Sequence, residues 1–469
     1  MARVVGSART RPGAVTRRLD ALLERLRVPV DGASLAVFRI AFGAIALVEV
    51  YRYVSKGWVD RYWSDPEFHF TYTGFGWVQP LPEGGMFVLW GLIAVAALGI
   101  MLGAFYRVSC TVFALAFGYS FLIEAARYLN HFYLIALLAV LLAIVPAHRV
   151  WSVDSWSRRQ PPGSSVPTWS LWLLRFQIAV VYVYGGIAKI EPDWLRGEPM
   201  TTWLSRADHV PLVGPLLTLD GAGVAAAWAG LFFDLLIVAA VAWRRTRVVA
   251  LLFAAMFHAI NHELFNLGIF PYLAFAALLL FCDPAWPRTT WYRLGGREPT
   301  PMVRPDDTGR TGWRRHLAPM GLAVATVFVA AQLLVPLRHI PETGRSNWTE
   351  AGHTFAWHMK LRIKDGTATF RVVDPASGET TAVDPRDVLH SWQYAKMAIR
   401  PEFLRQFAHH LADRYAEAGY PGVRVHAWTS VSLNGRPSQP LVDPDVDLAA
   451  EPVSLGAPDW VLPLRHPLP

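Results

Sequence analysis

Nine apolar segments run along the chain, separated by short polar loops. They cover approximately residues 34–54, 86–105, 108–124, 130–146, 170–189, 222–243, 247–264, 266–283 and 317–337. A helix that spans a bilayer needs about 20 apolar residues, so the third, fourth and eighth segments are short. Polar breaks near Arg127–Asn130 and His262–Asn266 predict two tight helical hairpins. The pattern predicts an all-α polytopic membrane bundle of about nine transmembrane helices.

The remaining C-terminal part has a different pattern, which predicts a small α+β domain. Alternating residues on both sides of Asp365–Gly366 predict a hairpin, with strands at His358–Ile363 and Thr367–Val373. Residues 386–418 predict helix that Pro385 and Pro401 interrupt. A further strand is predicted at Val423–Leu433, ending in an Asn434–Gly435 turn.

Three parts follow from these patterns. We expect an Arg-rich arm over residues 1–33, a membrane domain over 34–337 and a C-terminal domain over 338–469.

Composition supports a membrane protein. Of the 469 residues, 53% are hydrophobic and 17% charged, and the mean hydropathy is +0.27. Soluble domains carry about 25% charged residues, so an ordinary soluble enzyme and a disordered scaffold are both excluded. Two cysteines exclude a disulfide scaffold and an iron–sulfur site.

Arginines set the expected orientation. Of the 44 basic residues, 39 are Arg, and they cluster in the N-terminal arm and in alternate loops between apolar segments. By the positive-inside rule the N-terminus is cytoplasmic and the C-terminal domain extracytoplasmic. The arm has no signal-peptide cleavage pattern, so we expect the first segment to stay as an anchor. The Arg-rich composition suggests a high-GC bacterium and hence a plasma membrane, and the net charge of +8 reflects topology, with no nucleic-acid partner expected.

Lys189 is the first candidate for chemistry. It ends the fifth apolar segment, in a chain with only five lysines. One interpretation is a lysine that reaches the lipid headgroups or pairs with Glu191 or Asp193. The other is a base, because an amine can lose its proton in a desolvated site whereas a guanidinium cannot.

Two polar hairpin ends are predicted at a similar depth. One carries Asn130 and His131, and the other carries His258 and His262, which share a helical face. The i, i+4 spacing also suits a metal, but no third ligand is apparent, and we expect no metal site. Structural polar groups in the bundle core are the alternative. Aromatic residues nearby, Tyr184 among them, indicate either an interfacial belt or a pocket for a flat lipid-soluble ring.

Many short stretches, in one order, resemble the vitamin K-dependent gamma-glutamyl carboxylases and their bacterial homologues with an HTTM domain. The resemblance extends from about Ser34 to Glu451. The stretches that carry it are Leu98–Gly103, Tyr106–Cys110, Asn130–Leu134, Trp151–Asp154, Gly186–Trp194, Phe257–His258, Leu264–Phe270, Cys282–Pro287, Ser346–Thr349, Val431–Arg436 and Val442–Asp447.

The resemblance implies a reaction. Reduced vitamin K, as phylloquinol or menaquinol, would lose a proton to the Lys189 amine and react with O₂ to give a strong base. That base would take a γ-proton from a glutamate in a peptide or protein, and the carbanion would capture CO₂, yielding γ-carboxyglutamate and vitamin K epoxide. The family's Asn-His pair near the headgroup corresponds to Asn130 and His131, and its later membrane histidine to His258. We expect His131 to act in catalysis beside Lys189, as a hydrogen-bond donor to a quinone oxygen, and Asn130 and His258 to bind the cofactor. The resemblance also makes the C-terminal domain, which a peptide would reach from water, the candidate for peptide binding. We add Tyr184 and His262 as candidate cofactor contacts.

Two departures from the family bear on substrate recognition. Ala188 stands where animal members have a second lysine, and His353 stands where they have an aromatic residue. Two other functions therefore stay open: a quinone epoxidase of the same family without carboxylation, and a non-enzymatic transporter or lipid-binding protein. The chain lacks apparent internal repeats, which weakens the transporter interpretation.

Overall fold

The computed structural model describes residues 24–159, 165–209, 213–296, 313–342 and 344–468. Its first part is helical: α1 Ala33–Ser55, α2 Gly85–Leu102, α3 Tyr106–Ile123, α4 Asn130–Ile144, α5 Thr168–Ile187, α6 Ala222–Ala242, α7 Arg247–Phe265, α8 Phe270–Leu278, α9 Trp286–Leu294 and α10 Trp313–Leu334. Short helices lie at Val153–Ser157, Pro192–Leu195, Met200–Leu204, Gly214–Leu217 and Ser346–Thr349. Strands β1 (Pro29–Asp31) and β2 (Ser165–Pro167) pair antiparallel before α1 and α5.

A helix lies at each of the nine apolar segments, but the count of nine spans is not confirmed. Six helices in the described ranges are long and apolar enough to cross a membrane: α1, α2, α3, α5, α6 and α7. A seventh span results if the segment Phe270–Phe281 and α9, bent by 94° at their junction, count as one. Pro284 and Pro287 lie at this bend, where proline disfavours a continuous helix. At 15 residues, α4 is short for a span.

Neighbouring helices pack in sequence order. The chain packs α1 on α2, α2 on α3 and α3 on α4, and then α5 on α6, α6 on α7 and α7 on α8. Contacts of α8 with α1 and of α4 with α5 join the two groups. A fully buried arginine fixes one corner: the Arg39 guanidinium donates to the carbonyl groups of Ile100, Met101 and Trp151. The bonds to Ile100 and Met101 satisfy carbonyls in the last turn of α2, which have no partner within the helix.

The C-terminal domain contains β3 (Lys364–Val373), β4 (Thr380–Val383), β5 (Arg424–Leu433), α11 (Ser391–Met397) and α12 (Pro401–Glu417). The strands form an antiparallel sheet in the order β4-β3-β5, against which α11 and α12 pack. Helix α12 begins at Pro401, a residue that suits the first helical turn. Strand β5 ends in the expected turn, where Asn434 and Gly435 both have positive φ.

The hairpin predicted at Asp365–Gly366 is wrong. These residues lie inside the continuous strand β3, and no strand forms at His358–Ile363. Gly366 is paired with Val431 of β5, and a Cβ at Gly366 would lie 2.7 Å from the Val431 Cγ2. The glycine therefore permits close packing of two strands, a role that glycine also has in strand interiors.

Candidate functional site

Lys189 is buried at the end of α5 and forms an ion pair with an aspartate of α6. Its Nζ donates to Asp234 Oδ2 at 2.5 Å and to the Gly185 carbonyl oxygen at 3.0 Å. Each of the two charged residues is only 6% exposed. The helices can approach this closely because Gly186 has no side chain, and a Cβ there would lie 2.6 Å from Leu235 Cδ2. The backbone of the Gly185–Gly186 pair thus places an amine and a carboxylate in direct contact.

An apolar cavity of about 290 Å³ lies beside this pair, and we call it the lysine cavity. Its lining includes the aromatic side chains Tyr182, Trp194, Phe253, Phe257, Phe265 and Phe270, together with Lys189, Asp234 and His258. The volume is close to the lower end of the range for small-molecule sites, about 300–1,000 Å³. Flat aromatic walls around few polar groups suit a planar, lipid-soluble ring.

His258 contributes a second polar group to the lysine cavity. The Tyr182 hydroxyl and His258 Nε2 are 2.9 Å apart. Nδ1 of His258 is buried and has no hydrogen-bond partner among the described residues. A buried, unpaired ring nitrogen is costly, so Nδ1 of His258 is a candidate hydrogen-bonding atom of this wall, although neighbouring protein atoms cover it.

Asn130 and His131 line a different, adjoining cavity of about 400 Å³, which we call the arginine cavity. Asn130 Nδ2 donates to the His358 carbonyl oxygen at 2.9 Å, and its Oδ1 accepts from the Tyr128 hydroxyl at 2.9 Å. Asn130 therefore fixes the start of α4 to the C-terminal domain. The charged members of this lining are Glu49, Arg52, Arg127 and Lys360.

The two cavities share a wall. Phe265, Leu267, Phe270, Met359 and Lys360 line both of them. The Phe270 ring centroid lies 6.1 Å from that of His131 and 6.2 Å from that of His258. Phe270 thus stands between the two histidines, one in each cavity. Lys189, His131 and His258 were expected at one site. In the structure Lys189 and His258 line the lysine cavity, and His131 lines the adjoining arginine cavity.

Two residues predicted as cofactor contacts line neither cavity. The Tyr184 hydroxyl donates to the Leu333 carbonyl oxygen at 2.6 Å, which ties α5 to α10. The His262 ring packs against Tyr272, with centroids 5.6 Å apart. One turn of helix separates His262 from His258, but His262 is outside the lining of the lysine cavity, whereas Asn261, Leu264 and Phe265 around it belong to that lining.

Asp193, four residues after Lys189, joins the helical part to the C-terminal domain. Its carboxylate accepts from Arg436 at 2.6 and 2.7 Å, from Arg345 at 2.9 Å and from Asn434 at 2.9 Å. Burial by itself would raise the pKa of Asp193, but the bonds from Arg436 and Asn434 outweigh burial and hold that pKa below its usual value. Two motifs far apart in the sequence, around Asp193 and around Asn434–Arg436, therefore form one contact.

Replacing Asp193 with Asn should loosen the C-terminal domain. Two arginines would lose their carboxylate, and breaking a buried ion pair costs about 3–5 kcal/mol. We expect a lower melting temperature and faster protease cleavage of the C-terminal domain in Asp193→Asn. The exposed pair of Asp384 and Arg386 supplies the control, since Asp384→Asn should change neither reading.

The same Asp193 carboxylate should make the protease resistance of the C-terminal domain depend on pH. A carboxylate whose folded pKa is lowered stabilises the fold above its unfolded pKa of about 3.9 and loses that effect as the pH falls through the folded value. The wild type should therefore gain protease sensitivity only below about pH 4, whereas Asp193→Asn should be sensitive at neutral pH. Equal cleavage of the two proteins at pH 7 would contradict the docking role.

Comparison with known protein families shows which family this chain belongs to. A family model described as the HTTM domain matches residues 27–286. A second, described as the vitamin K-dependent gamma-carboxylase lumenal domain, matches residues 317–467. The chain belongs to the vitamin K-dependent gamma-carboxylase family. No solved structure matches this gamma-carboxylase family member.

Membership in the gamma-carboxylase family confirms the resemblance seen in the sequence. It indicates an enzyme of the gamma-glutamyl carboxylase type, with vitamin K as the cofactor and a Glu-containing substrate. The apolar helices indicate a membrane protein, and the lumenal-domain match indicates an extracytoplasmic C-terminal part. Asp193 lies in the stretch matched by the first model, and its partners Arg345, Asn434 and Arg436 lie in the stretch matched by the second.

Asp234 was not predicted as a site residue, although it is the one acidic side chain in the apolar segment 222–243. Ionisable residues inside a membrane segment are functional candidates by default, so the signal was present. Arg52 and Arg127 were also not predicted as site residues. In the sequence each is typical of an arginine that sets topology or lies at the membrane interface, and only the fold places both on the wall of the arginine cavity.

Proposed function

We propose that this protein carboxylates glutamate side chains of a peptide or protein to γ-carboxyglutamate, coupled to the epoxidation of reduced vitamin K with O₂ and CO₂. The observation that carries the proposal is the buried Lys189–Asp234 pair on the wall of the lysine cavity, in a chain of the gamma-carboxylase family. Reduced vitamin K, when bound there, supplies the strong base that the γ-hydrogen of glutamate requires.

The lysine cavity fits a two-ring headgroup in shape and polarity. Aromatic side chains cover its walls, and the polar residues in its lining include Lys189, Asp234 and His258. In this assignment Lys189 and His258 would each hold an oxygen of the ring system. His131 lines the arginine cavity and not the lysine cavity, so this assignment gives it no contact with the headgroup.

Helix α7 would be the side from which a lipid quinone enters. Phe253 and Met256 of this helix line the lysine cavity and are 42% and 50% exposed. Because α7 is long and apolar enough to cross a membrane, a quinone that passes these side chains would reach the cavity without crossing water.

The Lys189–Asp234 pair accepts one proton as a unit. An ammonium facing a carboxylate and an amine facing a carboxylic acid have the same net charge, so the pair is neutral in either form. Lys189 Nζ would accept a proton from a ring hydroxyl and would pass one of its own across the 2.5 Å bond to Asp234 Oδ2. Lys189 would then remain an ammonium and would stabilise negative charge on the oxygen that it holds.

Exclusion of water is the second task of the site. Both charged groups are buried, and apolar side chains form most of the cavity surface. A base strong enough to remove a γ-hydrogen of glutamate would be quenched at once by bulk water. The apolar lining therefore protects the carbon chemistry.

A direct assay tests the proposal. Purified protein receives reduced vitamin K, O₂, labelled CO₂ and a Glu-containing peptide, and both the label in the peptide and vitamin K epoxide are measured. We expect both products, each dependent on all components. Epoxide without labelled peptide would indicate a quinone epoxidase, and no O₂ consumption would indicate a transporter or lipid-binding protein.

A further inference from the structure

The arginine cavity is positively charged. Arg52, Arg127 and Lys360 line it together with a single carboxylate, that of Glu49. A guanidinium stays protonated in proteins, so two permanent positive charges face one acidic group even before Lys360 is counted. A cavity of about 400 Å³ with this balance attracts an anion.

The two arginines are held in place by contacts that leave donors free. Arg52 Nη1 donates to Glu49 Oε2 at 2.5 Å, and its guanidinium carbon lies 5.5 Å from the Trp58 ring centroid. The same guanidinium lies so close to Gly268 that a Cβ there would be 2.7 Å from Nη1. Gly268, at a φ of +60°, therefore leaves the space that Arg52 occupies.

Arg127 is held by aromatic side chains. Its Nη2 donates to the Tyr53 hydroxyl at 2.9 Å, and its guanidinium carbon lies 4.0 Å from the Tyr62 ring centroid. Nε of Arg127 is buried without a hydrogen-bond partner and is covered by protein, whereas Nη1, which makes no hydrogen bond among the described residues, is not enclosed. In the same ranges no carboxylate forms an ion pair with Arg127. A fixed guanidinium with unused donors at a cavity wall is prepared for an oxyanion.

We propose that Arg52 and Arg127 bind the γ-carboxylate of the substrate glutamate, and of γ-carboxyglutamate after reaction. This inference rests on the proposed function and names the substrate subsite for it. The shared wall around Phe270 puts a carboxylate in the arginine cavity next to the lysine cavity, with the adjacent γ-carbon at the boundary. The product carries two carboxylates on one carbon, which matches two guanidinium groups.

The arrangement also bears on the reaction itself. Removing the γ-hydrogen adds a second negative charge beside the carboxylate. Fixed positive charges at that position stabilise the developing charge more than they stabilise the neutral C–H form. Arg52 and Arg127 should therefore influence both glutamate binding and the rate of carboxylation, while binding of reduced vitamin K in the lysine cavity is unaffected.

Equilibrium binding tests the subsite without the reaction. Full-length protein in phosphatidylcholine nanodiscs is titrated with three fluorescent peptides that differ at one residue, Glu, γ-carboxyglutamate or Gln, with no reduced vitamin K present. We expect γ-carboxyglutamate to bind more tightly than Glu, and Glu more tightly than Gln. Arg127→Gln and Arg52→Gln should each weaken Glu binding by about 10- to 100-fold and remove the preference over Gln.

Arg61→Gln is the matched control. Like Arg127, Arg61 packs on the Tyr62 ring, with its guanidinium carbon 5.7 Å from the ring centroid. Unlike Arg127, it is exposed and lines neither cavity. This variant should bind all three peptides as the wild type does. The melting temperature of each variant shows whether it is folded, and Arg127→Lys offers a second variant that keeps charge but loses the planar donor pair. Preference for Glu over Gln that survives both Arg→Gln changes would overturn the proposal.

The other source of an oxyanion is a lipid phosphate. Nanodiscs with added phosphatidylglycerol distinguish the two sources. If this lipid raises the melting temperature of the wild type but not of Arg127→Gln, and the wild type shows no peptide preference, the site binds a lipid headgroup. That result would overturn the proposal. The proposed function fails separately. A protein that shows the peptide preference but incorporates no CO₂ keeps this subsite and loses the carboxylase assignment.

Discussion

Lys189→Met should reduce vitamin K epoxide formation and CO₂ incorporation together, by about 100- to 10,000-fold, the contribution that proton transfer by a positioned side chain makes. This variant removes the one amine that contacts Asp234 in the described ranges. Lys189→Arg should lose as much activity. It keeps the positive charge and can still pair with Asp234, but a guanidinium does not pass a proton on.

The control for Lys189 is Lys56, an exposed lysine at the end of α1. Lys56→Met should leave both products unchanged. Rates are measured under single-turnover conditions with saturating peptide, so that loss of the proton transfer is separated from weaker substrate binding. Full epoxidation by Lys189→Arg would remove Lys189 from the role of base.

Asp234→Asn should produce a loss comparable to that of Lys189→Met. The amide cannot take the proton that Lys189 hands on, and it leaves the lysine without its counter-charge in a site where both side chains are less than 10% exposed. Breaking such a buried pair costs about 3–5 kcal/mol, so the melting temperature should fall too. Epoxide formation and thermal unfolding measure the two effects.

The double variant Lys189→Met/Asp234→Asn separates chemistry from stability. It has no unpaired buried charge, so it should melt at a higher temperature than Asp234→Asn alone. Its activity should be no lower than that of either single variant, because residues that act as a unit show non-additive losses. Full activity in a folded Asp234→Asn protein would show that Lys189 works without its partner.

The site explains why pairing and catalysis are compatible. A lysine with a permanent carboxylate partner is usually a structural ion pair, and the sequence suggested partners at Glu191 or Asp193. Neither is used: Glu191 accepts from the backbone N–H groups of Asp193 and Trp194, and Asp193 binds the C-terminal domain. The actual partner lies 45 residues away in α6.

The sequence by itself determined the broad architecture. Long apolar runs leave no choice but helices in a membrane, since backbone groups must be paired within each helix there. The family stretches around Lys189 and in the C-terminal domain were sufficient to indicate the family, which the two family models confirm. Local chemistry also sufficed for the helix start at Pro401 and the turn at Asn434–Gly435, because both depend on neighbouring residues alone.

Tertiary structure decided what lies next to what. The hairpin at Asp365–Gly366 failed because a glycine that favours a turn also allows two strands to pack closely, and only the contact with Val431 distinguishes these roles. Asp234 became the partner of Lys189 because α5 and α6 approach at Gly186. The separation of His131 from His258 likewise depends on the Phe270 ring between them. Such contacts join residues far apart in the chain. The pattern of polar and apolar positions indicates which face of a helix or strand a residue occupies, but it does not indicate which partner the residue contacts there.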